Sequence, residues 1–178
     1  YKRQITVCAD CEDDVIELDE ENNCMDGRYP AEVVVSVIPA ETIVQPQDQF
    51  DVKIHVDPRG QEILGIQYTL TYDTSVLRAE TQTKGPFLGS GTIIVVNEID
   101  QANGIVQYAE TRTGETGVTV ADNVSTIHFI AIGERADTSA LTLSDVIVVD
   151  VNKEETEVVL EDGMVEITEN QPPIPIGQ

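Results

Sequence analysis

A chain of 178 residues is long enough for one globular domain with a short attached segment, and 40% hydrophobic residues are enough for a folded core. The 33 acidic residues against 10 Lys and Arg give a formal net charge of −23, which repels phosphate and anionic lipid and excludes nucleic acid as a partner. No apolar run reaches the ~20 residues of a membrane helix, so membrane insertion is not expected.

Residues 1–29 contain all three cysteines and a dense acidic stretch. Cys8 and Cys11 have the CxxC spacing of zinc sites, but a four-thiolate site needs a fourth cysteine, so no metal is expected there. We favour a disulfide between Cys11 and Cys24, with Cys8 unpaired or bonded to sequence outside this chain. Calcium binding by the acidic residues 10–19 is a less favoured alternative, because the central glycine and terminal glutamate of an EF-hand are missing.

Residues 31–168 form a series of short runs rich in β-branched residues, bounded by turn residues. Residues 50–57 and 66–72 alternate hydrophobic and polar side chains, which is typical of a strand with one buried face. Asn103-Gly104 predicts a tight turn, because both residues tolerate positive φ. Further strands are predicted at 31–38, 92–99, 104–111, 125–132, 141–151, 157–160 and 164–168.

About nine strands without helical periodicity predict an all-β fold, an antiparallel two-sheet β-sandwich with jelly-roll topology. Residues 169–178 are rich in proline, which cannot sit in a sheet interior, so they are expected to form a linker. Because the chain starts at Tyr1, we expect it to be a segment of a longer protein.

The residues give little support for catalysis. The two histidines, His55 and His128, both fall inside predicted strands, and His55 shares the polar side of its strand with Lys53 and Asp57. No nucleophile with a base and an orienting acid is apparent, and no phosphate-binding loop or HExxH motif occurs. We therefore expect a non-enzymatic protein without a cofactor.

Residues 32–168 resemble a cohesin domain, the module of cellulosome scaffolds that binds a dockerin on a partner protein. The run 66–77 is similar to a hydrophobic alternation that ends, in cohesins, in a YD-x-x-v-L turn; here that turn is Tyr72-Asp73 to Val76-Leu77. Asp162-Gly163 and the run that follows are similar to the closing dG-v-I strand of the family. Residues 1–29 resemble the last hairpin of CARDB-type Ig-like adhesion domains, on Ile5-Thr6-Val7 and the run 14–23. This resemblance implies that they form an N-terminal β-hairpin extension or the remnant of an adjacent Ig-like domain, and not a complete fold.

The cohesin resemblance implies a dockerin-binding surface on one flat sheet face, formed by the third, fifth, sixth and eighth strands of the family. The dockerin would carry the calcium. Alternation within the third strand independently places Gln67, Thr69 and Thr71 away from the core. The full set of expected partner-binding residues is Gln67, Thr69, Thr71, Asn97, Ile105, Gln107, Ala109 and Val148.

The family also implies a secreted protein, at the cell surface or extracellular, that acts in polysaccharide catabolism. Gly65 and Gln67 stand where many cohesins carry Asn and Asp, which leaves the class of dockerin open. A carbohydrate-binding or structural adhesion module of the same sandwich class is the alternative. That alternative is weakened because the chain has no Trp, and most of its 5 Tyr and 3 Phe fall on predicted core faces, whereas sugar binding needs exposed rings.

Overall fold

The structure, a computed structural model, describes residues 5–8, 24–27 and 32–169. Every regular element in these ranges is a β-strand. A helix suited to spanning a membrane does not occur among the described residues. Contacts divide the chain into two units, Tyr1–Ala31 and Glu32–Gln178. The predicted boundaries at 29 and 168 stay predictions, and residues 170–178 of the predicted linker lie outside the described residues.

The N-terminal unit contains an antiparallel hairpin of β1 (Ile5–Cys8) and β2 (Cys24–Gly27). Its register places Cys8 directly opposite Cys24. Cys11 and the acidic residues 10–19 lie outside the described residues. The Cys11–Cys24 disulfide therefore stays a prediction.

The second unit is a sandwich of two sheets, which confirms the predicted fold class. One sheet has five strands in the order β12-β3-β5-β10-β7, and the other has six in the order β4-β13-β11-β6-β9-β8. The strands are β3 (Val33–Ile38), β4 (Glu41–Val44), β5 (Gln49–Asp57), β6 (Ile63–Thr71), β7 (Leu77–Lys84), β8 (Thr92–Asp100), β9 (Ile105–Arg112), β10 (Asp122–Ala131), β11 (Thr138–Asp150), β12 (Val158–Glu161) and β13 (Gly163–Ile167).

The core lies between the two sheets and is filled by every second residue of the central strands. Val52, Ile54 and Val56 of β5 are fully buried, as are Tyr68 and Leu70 of β6, so the predicted alternation is correct in both strands. Burying each of these side chains stabilises the fold by about 1.5–3 kcal/mol. This core supports the six-stranded sheet from its inner side.

Eleven strands form the sandwich instead of about nine, because β4 and β7 were not predicted. β7 reads Leu-Arg-Ala-Glu-Thr-Gln-Thr-Lys and buries only Leu77, Ala79 and Gln82. A bulge in its pairing with β10, between His128 and Phe129, breaks the period-2 pattern. A polar edge strand that is interrupted by a bulge carries almost no periodic signal in the sequence.

Most strand pairs in the described residues are antiparallel, but β12 pairs in parallel with β3, and β13 with β4. Both segments, β3–β4 and β12–β13, leave one sheet and enter the other, so they run side by side at the same edge of the sandwich. Gly163 stands at this crossing, where an added Cβ would lie 2.6 Å from Cγ1 of Val37. The glycine of the closing motif is thus required by close packing.

The turn after β6 explains the Tyr72-Asp73 motif. Asp73 Oδ1 accepts hydrogen bonds from the backbone N–H of Ser75 at 2.8 Å and from its hydroxyl at 2.6 Å. These bonds hold the pKa of Asp73 below its ordinary value. The Asp73 carbonyl also accepts the N–H of Leu77 at 2.9 Å, so this one residue fixes the path from β6 into β7.

Candidate functional site

The outer face of the six-stranded sheet is built by β8, β9, β6 and β11, which are neighbours in that order. Cross-strand register arranges its outward side chains in rows that run across all four strands. Three rows matter here: Glu98, Gln107, Thr69 and Ser144; then Val96, Ala109, Gln67 and Ile147; then Ile93, Thr111, Gly65 and Val149. We call these residues together the outer face, and the first of the three rows the polar row.

Two shallow depressions lie side by side on the outer face. The first, with a volume of about 180 Å³, is lined outwardly by Gln67, Thr69, Val96, Glu98 and Gln107. The second, with a volume of about 250 Å³, is mostly aliphatic: Val95, Ala109, Ile147 and Val149 line it around Gly65, together with the polar Gln67 and Thr111. We call the second one the aliphatic depression. Hydrogen-bonding groups thus predominate in the first depression and apolar groups in the second, on one open surface.

Six of the eight predicted partner-binding residues lie on this side of the sheet: Gln67, Thr69, Thr71, Ile105, Gln107 and Ala109. Gln67 and Gln107 are exposed. Thr69 and Ala109 are each only 7% exposed, because neighbouring strands flank them on both sides. These two therefore form the floor of the surface, and the glutamines stand above it.

Val148 does not belong to the outer face, and the expectation for this residue is wrong. It pairs with Ile66 on the inward side and is fully buried in the core. The register of β11 against β6 jumps from Ser144↔Thr69 to Ile147↔Gln67, across a bulge that contains Asp145 at φ 48°. The bulge shifts the alternation, so Ile147 and Val149 face outward instead.

Asn97 also lies on the other side, opposite Tyr108. A bulge between Ile94 and Val96 shifts the alternation of β8, so Val96 and Glu98 face outward. The Asn97 side-chain amide donates to the backbone carbonyl of Gln82 in β7 at 3.4 Å, and Gln101 donates to that of Ala79 at 2.7 Å. Asn97 therefore helps to join the open edges of the two sheets.

The outward residues that the sequence did not reveal are Val96, Glu98, Ser144, Ile147 and Val149. They lie on β8 and β11, whose runs 93–96 and 146–149 are apolar at every position. Alternation cannot assign a side to such a run, and a bulge leaves no obvious mark in it. Only the register between strands settles which of these residues face solvent.

Charge on the outer face is concentrated at one residue. Among the residues that line the two depressions, only Glu98 and Glu110 are charged, and Glu110 is turned inward and 2% exposed. Glu98 is exposed and lies opposite Gln107, and within the described residues no cation is paired with it. Both carboxylate oxygens of nearby Asp100 accept hydrogen bonds within the β8–β9 turn. Glu98 is thus the one charged outward residue among those that line the two depressions, and Asp100 lies beside it on the same side of β8.

A buried polar cluster lies directly behind the outer face. The Tyr68 hydroxyl contacts the hydroxyl of Ser125 and accepts a hydrogen bond from Gln82 Nε2 at 2.6 Å, which joins the two sheets. The Tyr108 hydroxyl donates to Glu110 Oε2 at 3.0 Å, and Lys84 of β7 pairs with Glu110 Oε1. These contacts fix β6 and β9, the two central strands of the outer face, against the opposite sheet.

Burial raises the pKa of Tyr68 and of Tyr108 well above the ordinary value, and the Glu110 carboxylate raises that of Tyr108 further. Because the pKa of each tyrosine is higher in the folded state than in the unfolded state, folding favours the protonated hydroxyl. The stability that this contributes is complete below about pH 10 and is lost as the pH rises through the folded-state pKa. We expect the free energy of unfolding to fall above about pH 10, by about 1.4 kcal/mol per pH unit for each such tyrosine.

Denaturant unfolding between pH 8 and 11 measures this slope, and Tyr68→Phe should reduce it because one ionisable group is removed. An unchanged slope in the variant would mean that Tyr68 ionises equally in both states. The variant keeps the ring that stacks on Tyr108, with 5.9 Å between centroids, so its packing is a fair match to the parent.

Neither histidine lies in a catalytic arrangement. His128 Nδ1 is 2.7 Å from Asp51 Oδ1, and its other ring nitrogen lies 3.4 Å from the Gln49 amide oxygen. His55 contacts the side-chain oxygen of Asn123 at 3.2 Å. In the described residues, no group of three His, Cys, Asp or Glu side chains converges on a point where a metal ion could bind.

The family model described as "Cohesin domain" matches residues 34–167. A search of curated proteins gives no significant match. The matched range begins in β3 and ends with β13, so it comprises the two-sheet unit described above.

Several solved structures share the fold. The seventh ScaB type I cohesin of Pseudobacteroides cellulosolvens is 13% identical with a TM-score of 0.65, covering 83% of this chain and 99% of its own. CaCohA2 of Clostridium acetobutylicum is 19% identical with a TM-score of 0.62, covering 77% and 91%. A non-cellulosomal cohesin of the archaeon Archaeoglobus fulgidus is 15% identical with a TM-score of 0.62, covering 78% and 93%. Since the family model spans most of this chain and its sandwich has the fold of these proteins, the chain belongs to the cohesin family.

Proposed function

We propose that this chain is a non-catalytic recognition module that binds a dockerin through the outer face of the six-stranded sheet. The observation that carries the proposal is the arrangement of that face, in which a polar row adjoins an aliphatic depression on a rigidly supported sheet. Protein interfaces need such a combination, because apolar groups gain from losing water and hydrogen bonds fix the register.

Complexes formed by similar proteins support the same partner class. A cohesin of Clostridium thermocellum, Coh-OlpC, was solved in complex with Doc435, and it is 14% identical with a TM-score of 0.63. The sixth cohesin of scaffoldin B from Acetivibrio cellulolyticus was solved with a Cel5 dockerin. By family membership this chain would hold a dockerin-bearing protein in the same manner and would need no cofactor of its own.

We further propose an extracellular or cell-surface location, with the partner tethered to a scaffold that acts on polysaccharide, and the similarity to a scaffoldin cohesin supports this proposal. The net charge of −23 supports this location, because it keeps an exposed protein soluble and its self-repulsion is screened in salt. A carbohydrate-binding role is not favoured. The outward residues that line the two depressions are aliphatic, amide, hydroxyl or carboxylate residues, without an exposed ring for a sugar.

Calorimetric titration with calcium-loaded dockerins tests the proposal. We expect one or more dockerins of the source organism to bind with a dissociation constant well below about 1 μM. Gln107→Arg should weaken that binding by roughly 100-fold, because it places a bulky cation at the centre of the face. Gln49→Arg is the matched control, since Gln49 is an exposed residue of β5 in the other sheet.

Binding that is equal in the two variants would contradict docking on the outer face. The absence of binding by every dockerin tested would contradict the function itself. Retention of both variants on polysaccharide would instead support the carbohydrate-binding alternative. Near-identical circular dichroism spectra and melting temperatures are needed to show that both variants remain folded.

A further inference from the structure

β4 is an edge strand of the six-stranded sheet, at the opposite end from β8, and its outer side is open. Among the described residues its one neighbour in the sheet is β13. The carbonyls of Ala40 and Val44 point toward β13, because they accept the N–H groups of Met164 and Thr168 at 2.8 Å each. Backbone groups of successive residues alternate in direction along a strand, so the N–H and C=O of Ile43 point toward the open side.

The side chain of Ile43 is exposed as well. It is 68% exposed, whereas the next residue, Val44, is 7% exposed and turned into the core. An apolar side chain beside an unpaired backbone donor and acceptor is the combination that an added strand covers, since the pairing satisfies the backbone and removes the side chain from water. The open edge of β4 is therefore a site for a further strand.

The short length of this edge favours an occupant from the same chain. β4 is four residues long, so an added strand gains backbone hydrogen bonds only at Glu41 and Ile43. Separate molecules must offset an association cost of about 4–15 kcal/mol, and two copies with a net charge of −23 also repel each other. A tethered segment avoids most of this cost, because its effective concentration is on the order of millimolar.

The sequence after β13 has the pattern that such an edge strand needs. Residues 173–176 alternate proline and isoleucine, and they belong to the range 170–178 that lies outside the described residues. Proline has no N–H to donate and is excluded from a sheet interior, but an edge strand directs only every second N–H toward its neighbour. If Ile174 and Ile176 direct their backbone groups to β4, Pro173 and Pro175 occupy the positions where no donor is required.

The chain is also long enough to reach the open side of β4. The N–H of Thr168 donates to the Val44 carbonyl, so the chain leaves β13 directly beside the end of β4. It must then pass one strand, which takes about 9.6 Å at the usual spacing, and the six residue steps from Thr168 to Ile174 span up to about 20 Å. The path is open on the outer side, because the chain after Val44 turns to the five-stranded sheet, where Gln47 donates to the Ala131 carbonyl at 2.8 Å.

We propose that residues 173–177 return along the open edge of β4 as an antiparallel strand, with Ile174 opposite Ile43 and Ile176 opposite Glu41. Residues directly opposite in such a pair have their side chains on the same face, so Ile174 covers the exposed side chain of Ile43. The added strand protects this edge of the sheet from pairing with other chains and fixes the direction in which the chain leaves the domain. This inference does not depend on the proposed function, because β4 is separated from the dockerin-binding strands by β13.

Hydrogen exchange of the Ile43 amide, followed by NMR on the full chain, tests the proposal. We expect this amide to exchange at least about tenfold more slowly in the parent than in a chain that ends at Glu169, because the Ile174 carbonyl accepts its N–H. Ile174→Pro should raise the exchange rate to that of the shortened chain, since it removes an N–H that faces β4. Gly177→Pro is the matched control; position 177 directs its N–H away from β4, so this variant should exchange as the parent does.

A second readout is a nuclear Overhauser contact between the methyl groups of Ile43 and Ile174, which is expected in the parent and in Gly177→Pro. Equal exchange of the Ile43 amide in the parent and the shortened chain would overturn the proposal. Protection that falls on dilution would assign the edge to a second copy of the chain, which also overturns it. If Gly177→Pro loses protection as Ile174→Pro does, the pairing of Ile174 with Ile43 is wrong.

Discussion

Val148→Asp is expected to unfold the domain, whereas Val149→Asp should leave it folded and weaken dockerin binding. The two residues are neighbours with the same side chain, but Val148 is fully buried in the core and Val149 lies on the outer face opposite Gly65. An unpaired carboxylate in the core costs several kcal/mol, a large part of the about 5–15 kcal/mol by which a domain is stable. On the outer face the same carboxylate stays in water until a partner covers it.

Thermal melting and dockerin titration of the two variants measure these effects. We expect Val148→Asp to show no cooperative transition, or one lowered by more than about 15 °C. Val149→Asp should melt near the parent and lose roughly 100-fold in affinity, because it introduces charge into the aliphatic depression. The reverse pattern would mean that the bulge at Asp145 does not set the register of β11 in solution.

Lys84→Met should destabilise the domain by about 3–5 kcal/mol, because it leaves the Glu110 carboxylate buried without its cation. Glu110 is 2% exposed, and its remaining partner is the Tyr108 hydroxyl at 3.0 Å. The double variant Lys84→Met with Glu110→Gln should recover most of the loss, since the amide oxygen still accepts from Tyr108 and carries no charge. Urea unfolding of the parent, both single variants and the double variant measures the coupling.

Additive losses in that cycle would mean that Lys84 and Glu110 do not interact in solution. Arg78→Met is the matched control, because Arg78 forms an ion pair with Glu80 that is largely exposed. Exposed pairs contribute about 0–1 kcal/mol, so this control should have a small effect. If Arg78→Met lowers the free energy of unfolding as much as Lys84→Met does, the loss comes from removing a positive charge from a very acidic chain and not from the Glu110 contact.

Several elements could be predicted because their residues are buried on one side only. β5 alternates hydrophobic and polar residues throughout, β6 does so from Ile66 onward, and the sides assigned to Val52, Ile54, Tyr68 and Leu70 are those that the core requires. The turn at Gly104 was also predicted, and Gly104 has φ 67°. The outward positions Gln67 and Gln107 followed from the same alternation, because no bulge interrupts the pairing of β6 with β9.

Other elements could not be predicted, for two physical reasons. β7 is the edge strand of the five-stranded sheet and contains few hydrophobic residues. Its inward Gln82 is polar, and its side-chain amide donates to the hydroxyl of Tyr68 in the other sheet, a contact that local sequence does not reveal. β8 and β11 contain the runs 93–96 and 146–149, which are apolar at every position, and this removes the contrast between the two sides on which alternation depends. Asn97 and Val148 were misplaced for this second reason.

By itself, the sequence determined an all-β sandwich, an acidic surface, the likeness to cohesins and the two central strands of the outer face. Those properties depend on local patterns, because a strand with one buried face alternates hydrophobic and polar residues along its own sequence. The tertiary structure alone decided the sides of β8 and β11, the pairing of Lys84 with Glu110 and the isolation of Glu98. Each of these depends on register between strands far apart in sequence, where a bulge of one or two residues exchanges the buried side for the exposed one.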